Sequence, residues 1–136
     1  MIKNKHFFPA YIFALLIFIS SSLPTGQVQK ARTYHWILDI LLSDFFLHSC
    51  VFGLFAALLC WGFFKARDSS TPYIKIGLLS IIYGLFIELY QHILPYRSLR
   101  LDDIIANTVG VIAFLVLFKI FTIVLKHRQG VISSSK

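Results

Sequence analysis

The sequence predicts an all-α membrane protein with four transmembrane helices. Hydrophobic residues make up 57% of the 136-residue chain, charged residues only 14%, and the mean hydropathy is +0.76. A soluble domain carries about 25% charged residues, so this composition indicates a chain embedded in lipid. Charged positions also divide the chain into four apolar runs. Each run is about twice the ~10 residues of a transmembrane β-strand, and helices satisfy their own backbone in lipid one segment at a time.

The four runs are long enough to cross a bilayer one after another. A hydrocarbon core of about 30 Å needs about 20 helical residues at ~1.5 Å each. The predicted helices cover about residues 7–23, 45–64, 74–94 and 104–125. We therefore interpret residues 1–136 as a single transmembrane domain, with no room for a separate soluble domain.

The distribution of the 13 lysine and arginine residues predicts the orientation of these helices. Eight lie on the side of both termini: Lys3, Lys5, Lys65, Arg67, Lys75, Lys126, Arg128 and Lys136. Four lie on the other side, and one within the fourth helix: Lys30, Arg32, Arg97, Arg100 and Lys119. Basic residues accumulate in cytoplasmic loops, so both termini are expected in the cytoplasm. This asymmetry and contact with anionic lipids account for the net charge of +7, and we expect no nucleic-acid partner.

Two interpretations stay open in the first third of the chain. A basic start, an apolar stretch and the segment SSSLPTG are also typical of a secretory signal peptide, so the first helix is either retained or cleaved. In the outer linker, His35, Asp39 and Ser43 recur every four residues opposite an apolar side. This stretch is either a short helix in the membrane interface or an outward extension of the second helix.

Polar side chains embedded in the helices converge at one depth. With both termini inside, the second helix enters from outside near Asp44, the third leaves near Leu94 and the fourth re-enters near Asp103. At ~1.5 Å per residue, the embedded polar groups lie about 5–9 Å below the outer surface: His48, Glu88, Gln91 and Asn107. Small residues recur beside these polar groups at spacings of three or four, which places both on one face of each helix. Small residues let neighbouring helices approach on that face, so we expect the polar groups to point toward each other.

A charged side chain inside the membrane needs partners, because it costs roughly 2.5 to 3.5 kcal/mol at the helix centre. The predicted polar cluster comprises Asp44, His48, Glu88, Gln91, Arg97, Arg100, Asp103 and Asn107. The obvious counter-ions are Arg97 and Arg100, on the outer turn. The candidate catalytic groups are Glu88 and His48, and Asp44 stands one helical turn before His48 as the residue that would orient it.

The same groups also have a structural interpretation. Gln91 and Asn107 are equally typical of hydrogen bonds between helices, and Asp44, Asp102 or Asp103 of helix caps. The sequence contains no activated nucleophile, no phosphate-binding glycine loop and no specific metal-ligand spacing, and both cysteines lie inside one apolar run. We therefore expect no metal ion and no cofactor, and an enzyme is the less favoured interpretation.

The order of these residues resembles the VanZ-like family of small bacterial membrane proteins. The shared pattern runs from Asp44-x-x-x-His48 through Glu88-x-x-Gln91, Pro95, Arg97 and Asp103 to Asn107-x-x-Gly110. The resemblance covers nearly the whole chain and implies a four-helix, multi-pass protein of the bacterial cytoplasmic (inner) membrane and cell envelope. Some members are linked to resistance to the glycopeptide antibiotic teicoplanin. The first half of the pattern is less complete, since Phe45 and Phe52 stand where the family usually has a lysine and a tyrosine.

Three functions fit this pattern. The first is recognition of a lipid headgroup or a cell-envelope precursor, with an effect on teicoplanin susceptibility, since guanidinium groups suit phosphate and carboxylate. The second is a membrane enzyme acting on an envelope lipid, with His48 and Glu88 as acid and base and Arg97 as a phosphate clamp. The third is an assembly partner in which the cluster only joins helices. Membrane lipids are the expected partners, and the ligand and the oligomeric state stay open.

Overall fold

The computed structural model describes residues 3–23, 43–65, 73–95 and 98–134. A short 3-10 helix, Lys3–Phe7, leads into α1, Phe8–Ser21. The other helices are α2, Asp44–Lys65, α3, Tyr73–Ile93, and α4, Leu101–Ser134. No strand occurs within these ranges, so the all-α prediction is confirmed. The linker stretch with His35 and Asp39 lies outside the described residues.

Three helices are long and apolar enough to cross a membrane: Asp44–Phe64, Tyr73–Ile93 and Leu101–Val124. Their 21, 21 and 24 residues extend over about 31 to 36 Å, which matches a hydrocarbon core of about 30 Å. The apolar segment around α1, Lys5–Ser21, is shorter. Large apolar side chains such as Ile74 and Leu117 are exposed on the outer faces of the helices, as expected for a membrane protein.

The fourth helix is longer than the apolar run predicted. It begins at Leu101 instead of near residue 104, and it continues to Ser134 instead of ending near residue 125. Carboxylates are favourable in the first turn, near the positive end of the helix dipole, so Asp102 and Asp103 do not delay the start of the helix. Lys and Arg are good helix formers, so the charges after residue 125 end the apolar surface without ending the helix.

The aspartates predicted as helix caps occupy other positions. The Phe46 backbone N–H donates to Oγ of Ser43 at 3.2 Å, so Ser43 and not Asp44 caps α2. Asp102 and Asp103 lie inside the first turn of α4 instead of before it. Since the cap positions belong to other residues, the three carboxylates are available for contacts between helices.

Helices α2 and α4 cross closely at two glycines. A Cβ on Gly110 would overlap the carbonyl oxygen of Ser49, and a Cβ on Gly53 would lie 3.1 Å from the carbonyl oxygen of Gly110. The Ser49 hydroxyl also donates to the Ala106 carbonyl at 3.0 Å. Small residues let helices approach in lipid, where packing and interhelical hydrogen bonds drive association. This crossing sets the register of α2 against α4, and so decides which of their polar side chains face each other.

Helix α3 packs against this pair, and α1 packs against α2 and α3. A Cβ on Gly84 of α3 would lie 3.0 Å from the ring of Phe52 on α2. The Tyr83 hydroxyl donates to the carbonyl of Ala14 on α1 at 2.6 Å. The buried apolar residues come from all four helices: Ala10, Ile17, Phe52, Phe55, Ala56, Leu59, Cys60, Ile76, Ile87 and Val111. This apolar core supports a polar end formed by the start of α2, the end of α3 and the start of α4.

Candidate functional site

His48 lies one turn into α2, at the polar end of the bundle. Its Nδ1 atom lies 2.9 Å from Oδ1 of Asn107 on α4. An amide oxygen only accepts hydrogen bonds, so Nδ1 carries a hydrogen, and in the neutral imidazole Nε2 keeps its lone pair. The His48 side chain is 26% exposed, so the ring is held by a buried amide but can still be reached from outside the bundle.

Two buried carboxylates flank this imidazole. Oε1 of Glu88, on α3, lies 3.9 Å from Nδ1 of His48, and Oδ2 of Asp103, on α4, lies 4.0 Å from Nε2. Glu88 is 0% exposed and Asp103 is 5% exposed. One donor atom from each of the three residues lies within 4.8 Å of the others. We refer to His48, Glu88, Asp103 and Asn107 as the His48 cluster.

The His48 cluster has hydrogen-bonding capacity that its described neighbours do not use. Oδ1 of Asp103 and Nδ2 of Asn107 are buried without a hydrogen-bond partner among the described residues. A buried polar atom without a partner costs free energy, and a buried carboxylate oxygen costs more than a neutral one. These two atoms are therefore able to accept and to donate a further hydrogen bond.

Arg100 forms the exposed rim of the cluster. Its Nη1 donates to Oδ2 of Asp44 at 2.8 Å, and its Nε lies 3.8 Å from Oδ2 of Asp103. The hydrogen bond to Asp44 and the charge of Asp103 raise the pKa of the Arg100 guanidinium, which therefore stays charged. Arg100 is thus a counter-ion of both aspartates. The second predicted counter-ion, Arg97, lies outside the described residues.

Gln91 takes part in a different contact. Its Nε2 donates to the carbonyl oxygen of Ser21 at 3.4 Å, which joins α3 to the end of α1. The hydroxyl oxygens of Ser22 and Tyr90 lie 3.2 Å apart and join the same two helices. The structure therefore places Gln91 as a link between helices, beside the His48 cluster, in line with the structural interpretation of this residue.

Sequence spacing did not identify the partner of His48. Asp44, one turn away on the same helix, was the expected orienting residue, but in the structure Asp44 binds Arg100, and Asn107 binds His48. A spacing of four identifies neighbours on one helix, whereas the contact with Asn107 depends on the register between two helices. His48, Glu88 and Asp103 were predicted to share one polar cluster, but residue spacing did not indicate that they form a set of metal-ligand types, because they lie on three different helices.

The interior of the opposite half of the bundle is apolar. A cavity of about 430 Å³ lies there between α1, α2 and α3. Its walls are formed by Phe7, Ala10, Tyr11, Ala14, Phe55, Leu59, Phe63, Leu79 and Tyr83. No acidic or basic side chain lines this cavity, whereas the His48 end holds the buried carboxylates of Glu88 and Asp103.

Comparison with known families identifies the chain. A family model described as VanZ/LLP1 matches residues 3–122. The chain belongs to the VanZ/LLP1 family. This match confirms the resemblance predicted from the sequence, and the matched range contains all of the His48 cluster and the Arg100 rim. No curated protein and no solved structure matches the chain significantly.

The polar end of this VanZ/LLP1 chain combines groups with complementary chemistry. The Nε2 lone pair of His48 can accept a proton or bind a cation. The carboxylates of Glu88 and Asp103 can do the same, and the guanidinium of Arg100 can bind an anionic group. The arrangement is thus suited to a charged ligand.

Proposed function

We propose that this VanZ/LLP1 chain is a multi-pass protein of the bacterial cytoplasmic (inner) membrane, with four transmembrane helices and both termini in the cytoplasm. Three long apolar helices and the excess of basic residues on the side of the termini support the proposal. The fourth span is α1, whose 14 residues extend over only about 21 Å, a mismatch that local bilayer thinning accommodates. The buried side chains of Ala10 and Ile17 favour a retained helix, because cleavage would uncover the surfaces that they contact.

In this orientation the His48 cluster and Arg100 lie at the outer leaflet, where they recognise an anionic headgroup of a membrane lipid or of a cell-envelope precursor. The observation that carries this function is the geometry of Arg100. Its side chain is 48% exposed and is held by Asp44 and Asp103 through Nη1 and Nε, so Nη2 takes part in neither contact. A charged guanidinium held in a fixed orientation suits phosphate and carboxylate groups.

Replacing Arg100 tests this function. We expect Arg100→Gln to weaken binding of phosphatidylglycerol and of a polyprenyl diphosphate by about 10-fold or more, since a hydrogen bond to a charged group contributes about 1.5–3 kcal/mol. Native mass spectrometry of the purified chain with titrated lipid measures the affinity. Lys119→Gln is the control, because it removes the same charge from an exposed position on α4. Equal affinities of Arg100→Gln and the wild type for both lipids would contradict the proposal.

If this protein binds an envelope precursor, it would change how the cell responds to antibiotics that bind the same precursors. We therefore propose that the chain modulates teicoplanin susceptibility. Expression in a susceptible bacterium is expected to raise the inhibitory concentration of teicoplanin, and Glu88→Gln, which removes a buried charge at nearly constant size, is expected to reduce the effect at equal protein abundance. An inhibitory concentration that is the same with and without the chain argues against this role.

A second function is favoured by the orientation of His48. With Nδ1 donating to Asn107, the free Nε2 is placed to act as a general base beside two carboxylates, as an enzyme acting on the same headgroup requires. Such an enzyme would lose product formation in His48→Gln while still binding the lipid. Binding without any product from the wild-type protein leaves recognition as the function.

A purely structural role in assembly predicts instead that His48→Gln and Glu88→Gln lower protein abundance and activity together.

A further inference from the structure

The three titratable side chains of the His48 cluster belong to the ligand types that transition metals accept. His48 offers an imidazole nitrogen, and Glu88 and Asp103 offer carboxylate oxygens, from α2, α3 and α4 respectively. We propose that these three residues bind one divalent transition-metal ion, such as Zn²⁺ or Mn²⁺. A mixed set of one nitrogen and two oxygens suits these ions better than Mg²⁺ or Ca²⁺, which prefer oxygen ligands only.

The distances in the cluster are within reach of such an ion. One donor atom from each residue lies within 4.8 Å of the others. In a tetrahedral site with metal–ligand bonds of about 2.0–2.2 Å, two ligands of one ion stand about 3.3–3.6 Å apart. The widest pair would therefore need to close by about 1.3 Å when the ion binds.

The state of the imidazole also fits a metal ligand. Asn107 accepts the Nδ1 hydrogen of His48, so the neutral imidazole has its lone pair on Nε2, the atom that lies 4.0 Å from Oδ2 of Asp103. Metal-binding histidines commonly donate their other ring N–H to an oxygen acceptor, which fixes the tautomer and the ring orientation. Asn107 supplies this acceptor and is itself buried, with 2% exposure.

An independent observation points to a ligand at the same place. Oδ1 of Asp103 is buried and has no hydrogen-bond partner among the residues that the structure describes. Arg100 does not remove this deficit, because its guanidinium lies 3.8 Å from the other oxygen, Oδ2, and donates its short hydrogen bond to Asp44. A cation between the helices would satisfy this oxygen of Asp103.

The ion would keep open coordination positions. Three protein ligands leave at least one position for water or another oxygen, as in metal sites that bind substrates. The exposed edge of His48 is the route by which an ion or a ligand reaches the site. The proposal goes beyond recognition of a headgroup and does not depend on it, because the three side chains bind the ion whether or not a phosphate takes the open position.

The test is a metal titration of the full chain, purified with EDTA and placed in nanodiscs of neutral phosphatidylcholine. We expect one Zn²⁺ or Mn²⁺ per chain by elemental analysis, and we expect Co²⁺ to give a visible absorption band. His48→Ala and Asp103→Asn should abolish the stoichiometric binding. Asn107→Ala should lower the affinity by about 10-fold to 100-fold, as loss of a histidine-orienting group does in other sites.

Matched controls are present in the chain. Asp102→Asn removes an exposed carboxylate next to Asp103, and His92→Ala removes an exposed histidine of α3. Both variants should bind the ion as the wild type does. Equal loss in Asp102→Asn and Asp103→Asn, or no more ion than nanodiscs without protein hold, would overturn the proposal, and the cluster would then be a histidine shared between two carboxylates without a metal.

Two further measurements separate misfolding and headgroup binding from metal binding. The thermal unfolding midpoint of the wild type should rise with Zn²⁺ or Mn²⁺, and a midpoint unchanged by either ion at saturating concentration counts against the site. Arg100→Gln should keep the metal stoichiometry while it weakens lipid binding in EDTA. A wild-type chain that binds the metal ion but neither lipid therefore rejects the proposed function alone, and a wild-type chain that binds the lipids but no metal ion rejects the metal site alone.

Discussion

At the scale of single residues, Asn107 determines how the polar end is organised. Its Oδ1 accepts the hydrogen bond from Nδ1 of His48, and its side chain lies against α3, where a Cβ on Gly84 would be 3.4 Å from its Cβ and Nδ2. The residue therefore contacts both helices that face α4. A buried amide in this position fixes the ring of His48 between the carboxylates of Glu88 and Asp103.

Replacing Asn107 by leucine keeps the volume and removes the acceptor. We expect Asn107→Leu to lower the free energy of unfolding by about 1–3 kcal/mol, because the Nδ1 hydrogen of His48 loses its partner at a partly buried site. Denaturant unfolding in micelles, followed by circular dichroism, measures the change. Thr108→Val is the control, because the Thr108 hydroxyl bonds only to the Ile104 carbonyl of its own helix in the described contacts. Equal stability of Asn107→Leu and Thr108→Val would show that the hydrogen bond to His48 contributes nothing.

The same residues show what could be predicted from the sequence and what could not. Depth along each helix placed His48, Glu88 and Asn107 at one level, because the rise per residue of a helix is constant. The partner of each group could not be derived, since it depends on helix rotation and register. Spacing therefore suggested Asp44 as the neighbour that orients His48, whereas Asp44 turns outward to Arg100.

At the scale of the helices, the α2 and α4 crossing is the feature on which the site depends. Ser49, Gly53 and Gly110 bring the two backbones into contact, one turn away from His48 and Asn107. The small residues indicated that helices approach each other beside the polar groups, and the apolar run predicted the end of α3 near Leu94, close to its end at Ile93 in the structure. The ends of α4 were not predicted, because hydropathy follows the apolar surface and a helix continues through charged residues.

Adding one methyl group at this crossing tests its importance. We expect Gly110→Ala to destabilise the fold by about 3 kcal/mol or more, because the new Cβ would overlap a backbone carbonyl that cannot move without shifting α2. Gly77→Ala is the matched control: its Cβ would meet only the end of the Leu115 side chain at 3.2 Å, which can rotate away. Thermal unfolding and gel filtration of both variants measure the difference. Similar unfolding midpoints would mean that the close crossing is not required.

At the scale of the whole molecule, the polar groups are separated from the apolar core along the helix axes. The His48 cluster and Arg100 occupy one end, and the apolar cavity and the 3-10 helix, Lys3–Phe7, occupy the other. Helix α1 is the shortest of the four and joins the rest through Tyr83, Gln91 and apolar packing. The position of the buried polar groups at one end of the helices was predictable from the order of polar residues along the chain. Which side of the membrane this end faces is a separate question of topology.

The proposed orientation leads to a prediction about access from outside the cell. In a Cys50→Ala, Cys60→Ala background, single cysteines are introduced as Gln27→Cys, Ser69→Cys, Ser98→Cys and Ser133→Cys. A membrane-impermeant thiol reagent added to intact cells should label positions 27 and 98 only, because cytoplasmic loops carry the excess of basic residues. Labelling of all four after permeabilisation is the control for reactivity.

The mass of the labelled protein decides between the two states of the first helix. Position 27 becomes labelled from outside whether that helix is retained or cleaved, but cleavage would shorten the chain by about 2 kDa or more, since a signal peptide has at least about 15 residues. We expect the membrane-bound protein to keep its full mass, because Gln91 and Tyr83 bind backbone carbonyls of α1. Labelling at positions 69 and 133 in place of 27 and 98 would show that the topology is the reverse of the proposed one. The His48 cluster would then face the cytoplasm, and an extracellular headgroup could not be its ligand.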